Sequence, residues 1–145
     1  MAKQIYSYPD LSNSIVLVTG ANGGIGFDIV NSALQAGAKV LATDLVIGAS
    51  LEKLNSNERF ISKAYDLQDD SQCNECIAWS NSLGVNVLVN NAAIFDMAPF
   101  LESSLDQYDQ LFSVNVRAMF AMMQGIAKGL DSRKEKGSII NFSSQ

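Results

Sequence analysis

The stretch Thr19-Gly20-Ala21-Asn22-Gly23-Gly24-Ile25-Gly26 limits what this chain can fold into more than any other. A run of apolar β-formers, Ile15 to Val18, precedes it. A helical pattern follows, with Ile25, Ile29, Val30, Ala33 and Leu34 on one face and Gly37 as the stop. The sequence therefore reads strand, glycine turn, helix. That order aims backbone N–H groups and the positive end of a helix dipole at one point, where an anion can sit. Bare glycines let such an anion approach the main chain.

The motif alone does not separate an anion cradle from a plain tight turn. It is not a Walker A loop, because no Gly-Lys-Ser/Thr follows. It is not G-x-G-x-x-G either, since Asn22 holds the second glycine position. The spacing fits both G-x-x-x-G-x-G (Gly20, Gly24, Gly26) and G-x-x-G-x-x-G (Gly20, Gly23, Gly26).

The rest of the chain alternates strand and helix. Strands are expected at about 14–19, 39–44, 60–65, 85–89 and 138–142. Helices are expected at about 24–36, 49–56, 70–82 and 105–130, with Asp69 or Asp70 capping the third and Gly84 ending it. Residues 1–13 read as an N-terminal arm, and 14–145 as a single domain. Strands that are apolar on both faces and joined by helices imply right-handed βαβ units in a parallel sheet. The fold class is thus α/β, a Rossmann-type doubly wound sheet of about five strands in the order 3-2-1-4-5. Ligands of such sheets lie beyond the carboxyl ends of the strands.

Composition removes several classes of function. With 48% hydrophobic residues in 145, the chain can build a core. A net charge of -5 and one broken basic cluster, Arg133-Lys134-Glu135-Lys136, argue against a nucleic-acid or polybasic membrane face. No apolar run reaches the ~20 residues that cross a bilayer, and the first fourteen lack a signal-peptide core, so a cytoplasmic location is expected. Cys73 and Cys76 have no histidine or third cysteine to complete a metal site, and they read as reduced, partly packed thiols.

Candidate chemistry gathers at the strand ends. Asp44 closes the second strand, where an acid can accept both hydroxyls of an adenosine ribose and repel a 2′-phosphate. With no nearby Arg or Lys in sequence, it favours NAD over NADP; alternatively it caps a turn. Asp66 closes the third strand and suits either an adenine amino group or a surface turn. Asn90-Asn91-Ala92-Ala93 follows the fourth, where small residues let a ring approach and asparagine accepts unusual turn dihedrals. Asn115 is a poor mid-helix residue near an apolar face, so it either serves a catalytic group or water, or is a satisfied structural amide. Ser143 and Ser144 end the fifth strand, where a hydroxyl can polarise a substrate oxygen. In the long helix, Tyr108, Phe112, Met119, Met123, Ile126 and Leu130 form an apolar stripe that Leu111, Val114, Phe120 and Met122 widen. A stripe that broad suits either burial in the fold or a homo-oligomer interface.

Taken together, these residues resemble the short-chain dehydrogenase/reductase family, in its single-domain branch. The resemblance rests on Thr19-Gly20-x-x-x-Gly24-Ile25-Gly26, Asp44, Asp66-Leu67, Asn90-Asn91-Ala92-Ala93, Asn115 and the Ile-Ile-Asn-Phe-Ser-Ser run ending at Ser144. Ala93 stands where the family usually has glycine. The resemblance implies an NAD(P)(H)-dependent oxidoreductase interconverting a secondary alcohol and a ketone. It puts Gly20, Asn22, Gly24, Ile25 and Gly26 at the cofactor pyrophosphate. It puts Asp44, Asp66 and Leu67 at the adenosine and Asn91 and Ala92 at the nicotinamide ribose, with Leu45 and Ala93 counted beside them. Asn115 would hold a proton-relay water, and Ser144 would align the substrate carbonyl or alcohol. No metal is implied.

The family's proton donor is a tyrosine with a lysine four residues later. None of Tyr6, Tyr8, Tyr65 and Tyr108 has that lysine. The expectation is an N-terminal, cofactor-binding portion lacking the family's C-terminal strands and helices and inactive alone, with the fifth strand as an uncovered edge. The alternative is a non-catalytic NAD-binding module or a pseudo-enzyme that acts as an interaction partner.

Overall fold

The computed structural model describes residues 9–143. Five parallel strands form one sheet in the order β3-β2-β1-β4-β5. They are β1 (Ile15–Thr19), β2 (Lys39–Asp44), β3 (Phe60–Ala64), β4 (Val87–Asn90) and β5 (Ser138–Asn141). The helices are α1 (Gly24–Gln35), α2 (Ala49–Glu52), α3 (Asp70–Ser82), α4 (Leu105–Phe112) and α5 (Met119–Arg133). The expected strand order and fold class are those observed.

Alternation along the strands explains the two layers. Val16, Val18, Val40, Ala42 and Val89 point to one face and pack with Val30, Ala33 and Leu34 of α1. Leu17, Leu41 and Leu88 point to the other and pack with Cys73 and Cys76 of α3 and Met122, Ile126 and Leu130 of α5. Both thiols are free and buried. Asp69 caps α3 by accepting from Gln72 N at 2.9 Å. Leu11, from the expected arm, donates its N–H to Ala36 O and packs on the α1 layer.

Three expectations need adjusting. The fourth strand begins at Val87, because Val85 N bonds back to Ser80 O in the turn ending α3. The expected 49–56 helix tightens into a 3₁₀ turn after Glu52. The 105–130 helix is not one regular α-helix: a π-helical turn, Ser113–Ala118, joins α4 to α5, which runs on to Arg133. A π turn holds more residues per turn than an α turn, so it rotates everything beyond it relative to what precedes. The expected apolar stripe is therefore split. Ile126 and Leu130 are buried, whereas Tyr108 and Phe112 stack on each other in the open, with centroids 4.3 Å apart. Tyr108, Phe112, Val116 and Phe120 are all exposed, and β5 is exposed along its length.

Candidate functional site

The order in which strands are added reverses between β1 and β4, which run parallel. From β1 the chain turns outward to β2 and β3, and it then returns past β1 to reach β4. The carboxyl ends of β1 and β4 therefore diverge and leave a crevice. A cavity of about 710 Å³ occupies it. That volume is within the range of small-molecule and cofactor sites.

Backbone demands shape the rim. Gly20 sits at φ +64°, a left-handed conformation that costs other residues. A Cβ there would lie 2.7 Å from Ala92 Cα. A Cβ at Gly26 would strike Gly20 O and come within 2.7 Å of Asn91 Nδ2. These glycines thus let the loop after β1 seat directly on the loop after β4.

Thr19 and Asn91 lock the two loops together. The buried Thr19 hydroxyl accepts from Asn91 N at 3.1 Å and Ala92 N at 3.0 Å. Asn91 Nδ2 donates to Thr19 O at 3.1 Å and Gly20 O at 2.9 Å. The Asn91 amide nitrogen is thereby committed to the protein. The sequence places Thr19 in the motif but assigns it no role; the signal was a hydroxyl at the last position of an otherwise apolar strand.

The start of α1 is open. Gly23 supplies no side-chain cap, and the first turn has no acidic residue. A Cβ at Gly24 would meet nothing within 4 Å. Unpartnered N–H groups, a positive dipole end and free space coincide there, as a diphosphate requires.

Across the cavity, Asp44 Oδ2 accepts from Asn22 N and Oδ1 from Leu45 N, both at 2.8 Å. Asp66 Oδ1 accepts from Gln68 N at 2.9 Å, and Asp66 N donates to Gln72 Oε1 at 3.0 Å. Each carboxylate is oriented by main chain and keeps lone pairs for a ligand. Leu45 and Leu67 add apolar wall.

The structure brings Gly20, Asn22, Gly24, Ile25, Gly26, Asp44, Leu45, Asp66, Leu67, Asn91, Ala92 and Ala93 together around this cavity. It adds Gly23, Tyr65, Gln68, Ile94, Gln110 and Val114. Of these, Gln110 and Val114 lacked a sequence signal, because the phase of the long helix depends on its π turn. Asn115 does not line the cavity. Its side chain accepts from Ile94 N and donates to Ile94 O, each at 2.8 Å, and so pins the π turn to the wall of the site. Ser144 lies outside the described residues. Among the described residues, no cluster of His, Cys, Asp and Glu could hold a metal ion, and no helix is long and apolar enough to cross a membrane.

Sheet order, open helix start and strand-end acids define a class: a doubly wound α/β protein with a glycine-loop crevice at its switch point. The comparisons narrow this. The family model for short chain dehydrogenase matches residues 14–145, and the chain belongs to that family. It is 32% identical over 141 residues to sorbitol dehydrogenase of Cereibacter sphaeroides, covering 93% of this chain and 54% of that protein. It is 38% identical over 136 residues to L-xylulose reductase of Bos taurus, with the same 93% and 54% coverage. Among solved structures, it resembles a candidate NAD(P)-dependent gluconate 5-dehydrogenase from Beutenbergia cavernae with NADP bound at low occupancy. The TM-score is 0.86 at 26% identity, covering 96% of this chain and 57% of that one. The chain thus spans about half the length of the curated relatives it matches.

Proposed function

We propose that this chain forms the cofactor-binding side of an NAD(H)-dependent oxidoreductase interconverting a secondary alcohol and a ketone. The observation that carries this reading is the crevice itself. An uncapped helix start faces two strand-end carboxylates across one cavity. The cofactor pyrophosphate would rest on the N–H groups at Gly24 to Gly26. Asp44 would take the adenosine ribose hydroxyls, and the adenine would lie between Leu45 and Leu67 near Asp66. The nicotinamide ribose would meet the loop at Asn91 to Ala93. When bound, the cofactor supplies or accepts the hydride. The protein orients it and shields it from water on this side. Among the described residues no Lys or Arg lines the cavity, so none of them would offset the charge of a 2′-phosphate, which supports NAD over NADP.

Asn115 would act through the π turn it anchors, holding the helix backbone where a relay water can bind. Ser144 would polarise the substrate oxygen. Without a Tyr-x-x-x-Lys pair in these residues, the 145 residues should bind NADH but turn over no substrate. Calorimetry tests the binding. Asp44→Ala should weaken NADH by about 10- to 150-fold, the worth of charge-assisted bonds of about 1.5–3 kcal/mol. Equal affinity in both proteins would remove Asp44 from the site.

We also infer that a second copy packs on the stripe Tyr108, Phe112, Val116 and Phe120. Each of these side chains is about half exposed, and together they form one apolar ridge. Such a ridge is a candidate interface on a water-facing helix. Sedimentation should show a dimer or larger assembly that Phe112→Asp with Phe120→Asp converts to monomer. A wild-type monomer at tens of micromolar would refute it. A cytoplasmic location is the matching expectation, checked by cell fractionation.

A further inference from the structure

Asn22 is the one residue of the glycine loop, Gly20 to Gly26, with a side-chain hydrogen-bonding group, and that group is spent on the protein itself. Its Oδ1 accepts from Gly48 N at 2.9 Å. Its Nδ2 donates to Val46 O. Its own N–H donates to Asp44 Oδ2 at 2.8 Å. One residue step earlier, Ala21 N donates to Thr43 O at 3.1 Å, extending the β1–β2 pairing into the loops. Three successive attachments therefore zip the glycine loop to the segment 44–48, which runs from Asp44 to the start of α2. Elsewhere the segment is held at its ends, by Tyr65 N donating to Asp44 O and by Leu51 N and Glu52 N donating to Gly48 O, and by Ile47 packed on the core. Leu45 and Val46 are about two-thirds exposed, and no charged residue follows Asp44 before Glu52.

The residue type fits the task. Val46 O needs a donor and Gly48 N needs an acceptor, two residues apart on the facing loop. A single primary amide supplies both at once. Aspartate offers no donor, and serine offers one short hydroxyl that cannot span both. This also accounts for an asparagine where a more common nucleotide loop has its second glycine.

We propose that Asn22 is a positioning residue for nucleotide selectivity: it latches segment 45–48 against the glycine loop, so that Asp44 and the main chain beside it present one fixed surface to the ribose 2′ position. The inference rests on the NAD reading of the cavity and deepens it. A fixed carboxylate with no mobile neighbouring loop discriminates best, because a 2′-phosphate cannot be accommodated by loop retreat. With the side-chain half of the latch cut, segment 45–48 loosens and only the backbone N–H groups of Asn22 and Leu45 still hold Asp44, so the surface facing the ribose is less fixed and the selectivity narrows.

The test uses Asn22→Ala and Asn22→Ser in the 145-residue protein. Asn22 is exposed, so neither change disturbs the core. Hydrogen exchange of the amides at 45–48 probes the latch with no nucleotide present, and exchange at Gly48 should accelerate by about 2- to 13-fold in both variants, one hydrogen bond's worth. Calorimetry with NADH and with NADPH probes its consequence. The NADH-to-NADPH affinity ratio should fall about tenfold in Asn22→Ala, by the same conversion, while the urea midpoint moves little. A merely structural asparagine would shift the midpoint and leave the ratio alone, and that result overturns the proposal. Unchanged exchange at Gly48 overturns it too. If the unsubstituted protein binds neither nucleotide, the NAD reading falls and the selectivity role falls with it; if it binds NADH and the ratio is indifferent to Asn22, only the latch falls.

Discussion

Replacing Thr19 separates hydrogen bonding from burial at the heart of the crevice. Thr19 is buried at the end of β1, and its hydroxyl accepts from two backbone N–H groups, those of Asn91 and Ala92. Thr19→Val keeps the branched shape and deletes both acceptor contacts. A donor left without a partner costs about 1–3 kcal/mol. Asn91 and Ala92 are only half-buried, so water can reach them in part and the low end applies, about 1–1.5 kcal/mol each. The sum is about 2–3 kcal/mol. With a urea slope near 2 kcal/mol/M, the midpoint should fall by about 1–1.5 M. Thr19→Ser makes the opposite cut: it keeps the oxygen and removes one methyl, at about 1 kcal/mol. Stability should therefore rank Thr, then Ser, then Val. Burial alone ranks Val above Ser. The sole tryptophan, Trp79, lies tilted 5.9 Å from Tyr65 and reports unfolding by fluorescence. A valine variant more stable than the serine variant would refute the reasoning.

Two further outcomes follow from the same geometry. Gly26→Ala forces a methyl into Gly20 O and against Asn91 Nδ2, so the loops must part. We expect a loss of about 1–3 kcal/mol by urea titration and no measurable NADH binding. For Cys76, burial pushes the thiol up to about 12 from an ordinary 9.0, with neighbouring Cys73 adding to the rise. The folded state keeps the proton that the unfolded chain releases, so this contribution to stability is complete below about pH 9 and drains away as pH rises toward 12. Urea midpoints measured from pH 8 to 11 should decline, and Cys76→Ala should flatten that decline. An identical slope in the variant would refute the assignment.

Much of this was legible in the sequence because each signal was local. Apolar runs at Ile15 to Val18 and Lys39 to Thr43, glycines after strands and Asp69 before α3 act over a few residues, and strand order follows from right-handed crossovers. What stayed hidden depends on contacts between loops far apart in the chain. The sequence shows Asn22 as a departure from a glycine pattern, but its three partners lie more than twenty residues away. Asn91 was expected to meet a ligand, yet its amide nitrogen is spent on Thr19 and Gly20.

The long helix shows the same limit and explains why its two halves behave differently. Asn115 read as an interruption, and it stands inside the π turn. Its amide grips both backbone groups of Ile94 across 21 residues of sequence. A regular α-helix holds its phase throughout, so a face set by Tyr108 and Phe112 would continue through Met119 and Met123 to Ile126. The wider turn breaks that continuity. Beyond it, Met122, Ile126 and Leu130 face the sheet. Before it Gln110, and within it Val114, line the cavity and leave the aromatic pair outside. One amide clamp thus lets a single helix close the crevice at one end, seal the core at the other and present an apolar ridge between them.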